Sequence, residues 1–227
     1  MLNRYKRNMN TLTEEENKKL KDFKVCVIGC GGLGGYVIEM LGRLGIGHIT
    51  CVDGDVFDES NLNRQILSDE ISLGMSKAEK AAQRMKIVNS IIEVTSIDEM
   101  FTEINAVETL EGNHVVVDAL DCIESRLLLQ NVCEELKIPL IHGAIAGWYG
   151  QVSTILPGDR TLDFIYSRKK SSRGVEQELG NPSFTPAHIA SLQVSEVVKL
   201  LLGRGEVLTK KIMFIDMLNN DYDIIEL

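Results

Sequence analysis

A glycine-rich segment, Gly29-Cys-Gly-Gly-Leu-Gly-Gly35, is the first place in this chain where residue types imply chemistry. Its Gly29-x-Gly31-x-x-Gly34 spacing follows an apolar run and precedes a helical pattern, which is a dinucleotide-binding fingerprint. Glycine lets the backbone approach a phosphate and aim N–H groups at it from a helix N-terminus. Asp53 follows at the end of the next apolar run, where a carboxylate accepts from ribose hydroxyls. These residues suit NAD, FAD or ATP. Asn61, Arg64 and Gln65 come just after that carboxylate, Lys77 lies near the start of a helical pattern, and Asp121 sits past another apolar run. A hydride-transfer site has no use for two further cations and an acid around the phosphates, whereas nucleotidyl transfer has. Arg64 and Lys77 can offset charge on an α-phosphate and on departing pyrophosphate, and Asp121 is a hard oxygen ligand suited to Mg²⁺. Taken singly, the same residues read as a surface ion pair, a solvated helix end and a helix N-cap with Glu124 at N3.

The elements that must position these groups alternate. Thr13-Glu-Glu-Glu16 is a capping-box pattern that predicts a short helix. Lys24–Ile28 reads as a strand, Leu33, Val37, Leu41 and Leu44 mark one helical face, and His48–Val52 reads as the next strand. This is a βαβ unit, right-handed by expectation. A helix over 76–88, a strand over 92–97, a buried parallel strand over 115–118, a helix over 125–136 and a strand over 140–145 continue the pattern. The fold class predicted is α/β, a Rossmann-like doubly wound, mostly parallel sheet extended by C-terminal antiparallel strands. A strand over 151–156, a long loop over 157–186, a helix over 187–202 and strands over 211–216 and 222–227 complete it. One compact unit is expected, with a helical arm (1–22), a nucleotide-binding part (23–145) and a C-terminal part (146–227).

Composition narrows the partners. The net charge is −9, from 24 Lys plus Arg against 33 Asp plus Glu, which disfavours nucleic acid as the main partner. No apolar run approaches the roughly 20 residues that span a bilayer, and no signal peptide is read at the basic N-terminus. Five cysteines without CxxC spacing point to a cytoplasmic protein with reduced thiols and away from a four-cysteine zinc site.

The run from Gly29 to Gln65 resembles the activating-enzyme superfamily that adenylates ubiquitin-like proteins, whose bacterial members are ThiF, MoeB and HesA-type proteins. Arg4-Tyr-Lys-Arg7 is similar to the family's N-terminal motif, Lys77 falls at its lysine spacing, and Val117-Asp-Ala-Leu-Asp-Cys122 resembles its VxDxxDN motif, with Arg126 following. Gly147–Gly150 and Ala190–Gly203 are similar to later family segments. The resemblance implies that Gly29, Gly31, Gly32 and Gly34 cradle ATP, Asp53 holds the ribose, Asn61, Arg64, Gln65 and Lys77 contact the triphosphate, and Asp121 binds Mg²⁺. It also implies a homodimer in which Arg7 reaches the neighbouring subunit's phosphates. The partner would be a ubiquitin-like sulfur-carrier protein with a C-terminal Gly-Gly, activated as an acyl-adenylate.

Departures from the family pattern are informative. The segment 162–167 stands where many relatives carry zinc cysteines, so no zinc is expected. No cysteine follows Cys133, so sulfur is expected from a separate donor. Cys122 replaces the motif's asparagine and, like Cys30, reads as a small buried residue rather than a nucleophile. Arg168, Lys169, Lys170 and Arg173 read on their own as a solvated loop, and more sharply as a crossover loop that covers the incoming tail or an acidic face of the partner. His142 and His188 read as isolated and receive no role. The competing readings are a tRNA-modifying dehydratase of the same superfamily, an NAD-dependent oxidoreductase and a non-catalytic subunit.

Overall fold

The computed structural model describes residues 3–166 and 176–227. The basic cluster at 168–173, and the crossover-loop expectation attached to it, lie outside the described residues. Five parallel strands form one side of the sheet: β1 (Lys24–Ile28), β2 (His48–Val52), β3 (Glu93–Ile97), β4 (Val115–Asp118) and β5 (Leu140–Ala146). Three antiparallel strands extend it: β6 (Tyr149–Ile155), β7 (Lys211–Asp216) and β8 (Asp221–Glu226). The order is β3-β2-β1-β4-β5-β6-β7-β8. The α/β expectation therefore holds, although the division placed at residue 145 falls inside β5.

The central strands are buried on both faces, which is why they read as continuous apolar runs. Val25 and Val27 face one core with Ile49, Val115 and Val117; Cys26 and Ile28 face a second with Val52 and Val116. Helices α2 (Gly32–Leu44), α3 (Lys77–Val88) and α8 (Phe184–Leu202) cover the first core. Helices α4 (Ala106–Leu110), α5 (Ile123–Leu136) and α6 (Thr161–Tyr166) cover the second. The short helices α1 (Glu14–Lys19) and α7 (Glu176–Leu179) complete the set among the described residues. The capping box predicted at Thr13 is formed, with Thr13 and Glu16 bonding each other's backbone N–H groups.

Two expectations change. The loop placed over 157–186 contains α6, α7 and the first turn of α8. Asp121 is not a helix cap: α5 starts at Ile123, with Cys122 in the cap position and no side-chain cap bond.

Candidate active site

The sheet order reverses between β1 and β4, and ligands of open α/β sheets bind outside the carboxyl ends of strands at such a point. A cavity of about 480 Å³ lies there, within the size range of small-molecule sites. It is lined by Gly29, Gly31, Gly32, Asp53, Asn61, Arg64, Gln65, Lys77 and Asp121, so nine of the residues singled out in the sequence converge.

The glycine turn owes its shape to close approach. Gly29 sits at φ +97°, and a Cβ there would lie 2.6 Å from the Ala119 carbonyl oxygen. Gly31 caps α2, whose first N–H groups have no intrahelical partner. Gly34 needs correction: it is buried and does not line the cavity. A Cβ on it would stand 1.8 Å from the Gly29 carbonyl oxygen, so its role is to let α2 press against the turn.

Asp53 is fixed by two backbone donors, Cys30 N–H at 2.7 Å and Asp55 N–H at 2.9 Å. Burial pushes its carboxyl above the ordinary 3.8, against the opposing effects of the Cys30 N–H and the Lys77 charge. Lys77 is nearly enclosed and its Nζ lies 3.0 Å from Asp55 Oδ2, a partner that spacing in the sequence does not reveal. Ser76 caps the helix from which Lys77 projects, accepting from Glu79 N–H. Arg64 lays its stem over Gly32 and donates to the Ser60 carbonyl and Asn63 Oδ1, each at 2.9 Å. Asn61 Oδ1 accepts the Asp58 N–H and closes the turn from which Arg64 and Gln65 project.

Arg126 and Asn181, to which the sequence alone attaches no role, also line the cavity. Arg7 is not brought to it. The neighbouring Tyr5 lies against Gly45 at the far end of α2, and 13 helical residues span about 20 Å. Cys30 is buried, and its hydrogen bond to Cys51 together with burial holds its thiol well above the usual range, which suits packing and not nucleophilic attack. All five cysteines are free.

The cavity fits a magnesium nucleotide on its own observations. Gln65 Oε1 is buried without a partner, and a Cβ on Gly31 or Gly32 would take up space beside Gln65 and Arg64. Among the described residues no group of three or more His, Cys, Asp or Glu could hold a metal ion. A single carboxylate such as Asp121 is the donor set Mg²⁺ uses when substrate phosphates supply the other oxygens.

Fold and cavity together define an α/β domain with a cleft at the carboxyl ends of its parallel strands. The chain belongs to the ThiF family, whose profile matches residues 5–227. It is 32% identical over 228 residues to the SAMP-activating enzyme E1 of Haloferax volcanii, covering 99% of this chain and 84% of that protein. It is 33% identical to the sulfur carrier protein ThiS adenylyltransferase of Bacillus subtilis, covering 82% of this chain and 56% of that protein, so it spans about half of that relative. Among solved structures, the E. coli tRNA N6-threonylcarbamoyladenosine dehydratase TcdA in complex with AMP superposes with a TM-score of 0.74 at 26% identity, over 88% of this chain and 94% of that one. E. coli MccB with ATP shares the fold, with a TM-score of 0.76 at 23% identity over 100% of this chain and 71% of that one. The curated relatives are named as an E1 activating enzyme and as adenylyltransferases, and the chain is an enzyme of that adenylyltransferase class. No helix among the described residues is long and apolar enough to cross a membrane.

Proposed function

We propose that this enzyme uses ATP to adenylate the C-terminal Gly-Gly carboxylate of a ubiquitin-like sulfur-carrier protein. The observation that carries the reading is the convergence of Arg64, Lys77 and Asp121 with the glycine turn on one cavity. The carboxylate is ionised at neutral pH and needs no general base. Its oxygen bonds to the α-phosphorus, the α–β anhydride bond breaks, and pyrophosphate leaves with the electron pair. Asp53 orients the ribose, and the first N–H groups of α2 face the phosphates. Lys77 and Arg64 exchange their resting partners, Asp55 and the Ser60 carbonyl, for phosphate oxygens. Mg²⁺, held by Asp121, would neutralise phosphate charge. Positioning and charge neutralisation then supply most of the rate. Sulfur comes from a separate donor. Arg7, remote from its own cavity, serves the nucleotide of a second copy in a homodimer, and the reaction runs in the cytoplasm.

The test is ATP–pyrophosphate exchange with candidate carriers. Exchange that requires the carrier and its terminal glycine supports the reading; ATP binding without exchange by any carrier refutes it. The dehydratase likeness favours a second reading, activation of a small carboxylate on a tRNA adenosine. A net charge of −9 opposes it, and binding of tRNA at physiological salt would decide for it.

A further inference from the structure

His142, isolated in the sequence, is fully buried and paired in the fold. The parallel ladder sets it beside Asp118, the last residue of β4, with both side chains on the face covered by α5 and α6. His142 Nδ1 lies 2.7 Å from Asp118 Oδ2. The Gln151 amide stands 3.0 Å from His142 Nε2. Gln151 donates there, so the imidazole carries its proton on Nδ1 and donates it to Asp118. Burial also holds the imidazole below its ordinary 6.5 against the pull of Asp118, which keeps it neutral.

The other contacts of this pair lead to the cavity. Asp118 Oδ1 accepts the Leu120 N–H at 3.0 Å. Arg126 Nε lies 3.6 Å from Asp118 Oδ2, Arg126 Nη2 donates to the Leu120 carbonyl, and Nη1 donates to Tyr166 Oη at 2.8 Å. Both polar backbone groups of Leu120 are therefore held by buried side chains, and the next residue is Asp121. Leu120, Asp121 and Arg126 all line the cavity. A buried carboxylate–guanidinium pair is weak as a stabiliser, because desolvation offsets most of its attraction. Its placement under one peptide of the site gives it a different use.

We propose that His142 is a positioning residue: acting through Asp118, it fixes the Leu120 peptide and the Arg126 guanidinium and so aims the Asp121 carboxylate at the phosphates. The proposal rests on the nucleotidyl-transfer reading of the cavity. His142 touches no reacting atom. Its Nδ1 donor is the group that matters, since without it Asp118 turns toward Arg126 alone and releases the Leu120 N–H.

The test compares His142→Asn, whose amide places a donor near the Nδ1 position, with His142→Gln and His142→Leu, which do not. ATP affinity is measured by equilibrium binding with and without Mg²⁺, alongside thermal melting and the exchange rate. In His142→Gln and His142→Leu, the tightening of ATP binding by Mg²⁺ and the exchange kcat are expected to fall at least tenfold. Affinity without Mg²⁺ should stay within about twofold, and KM for the carrier should hold. His142→Asn should recover most of both losses. His142→Gln keeps a polar group of similar size and decides the matter should His142→Leu fail to fold. A folded Gln or Leu variant with wild-type Mg²⁺ response and kcat would overturn the proposal, as would an Asn variant no better than Gln. If the wild-type chain binds ATP but exchanges with no carrier, the functional reading fails while the effect of His142 is still read in ATP binding.

Discussion

Gly34→Ala separates the two kinds of glycine in the nucleotide turn. The added methyl would sit 1.8 Å from the Gly29 carbonyl oxygen, 2.8 Å from its carbon and 3.2 Å from Ala119 Cβ. Gly29 cannot yield: its N–H is bonded to the Val52 carbonyl at 2.8 Å, and it is itself wedged against Ala119. Overpacking a core typically costs about 1–3 kcal/mol, and an obstacle made of backbone puts this site at or above the upper end. The helix gains back up to about 1 kcal/mol from replacing glycine by alanine. A net loss of about 2 kcal/mol follows, or roughly 4–8 °C in melting temperature for a domain of this size. The control is Gly32→Ala, whose methyl first meets the flexible Arg64 stem, at the ordinary contact distance of 3.5 Å. It should melt within about 2 °C of the parent yet bind MgATP at least tenfold more weakly, about 1.4 kcal/mol, because the methyl occupies the cradle. Thermal unfolding with and without MgATP reads both effects. A Gly34→Ala protein that melts like the parent, or a Gly32→Ala protein that melts below it, would refute the reasoning.

Saturating MgATP, at about 100 times its dissociation constant, should add about 2.7 kcal/mol of stability; NADH at the same concentration should add none, and a scan of melting temperature against ligand separates them. Arg64→Ala and Asp121→Ala should each lower exchange by about 10²–10³-fold while leaving stability within about 0.5 kcal/mol, as judged by denaturant midpoints. Glu39 is buried, and although burial alone would raise its carboxyl, hydrogen bonds from Arg84 and Arg43 bring it below the ordinary 4.5. Its folded value is thus the lower one, so its contribution is full above the unfolded value and is lost as pH falls through the folded value. Glu39→Gln should be less stable at neutral pH and lose less on acidification below 4.5, which melting curves across that range will show.

Much of the site could be read from sequence because backbone geometry demands particular residues there. Gly29 must adopt a positive φ, and Asp53 must follow directly on a strand next to the turn, so both are visible in spacing alone. The start of α8 is hidden in the sequence because Pro186 suggests a loop, yet it stands in the first helical turn, where no N–H is needed. α6 has six residues, too few for a 3.6-residue period to register. Gly34 looks like a ligand residue in the sequence because the fingerprint does not distinguish a glycine that faces phosphate from one that faces its own turn. His142 and Asp118 are 24 residues apart, and only the register of β4 against β5 makes them partners. Lys77 and Asp55 meet for a similar reason, brought together by the strand-like bridge between Val56 and Ser76.

The length of α2 sets the anchored arm and the cavity at opposite ends of one helix. If Arg7 is needed at a phosphate, dilution itself becomes an inhibitor, and specific activity should rise with enzyme concentration. Two individually dead chains, one lacking Arg7 and the other lacking Asp121, would then revive each other on mixing, since each hybrid assembles one intact centre.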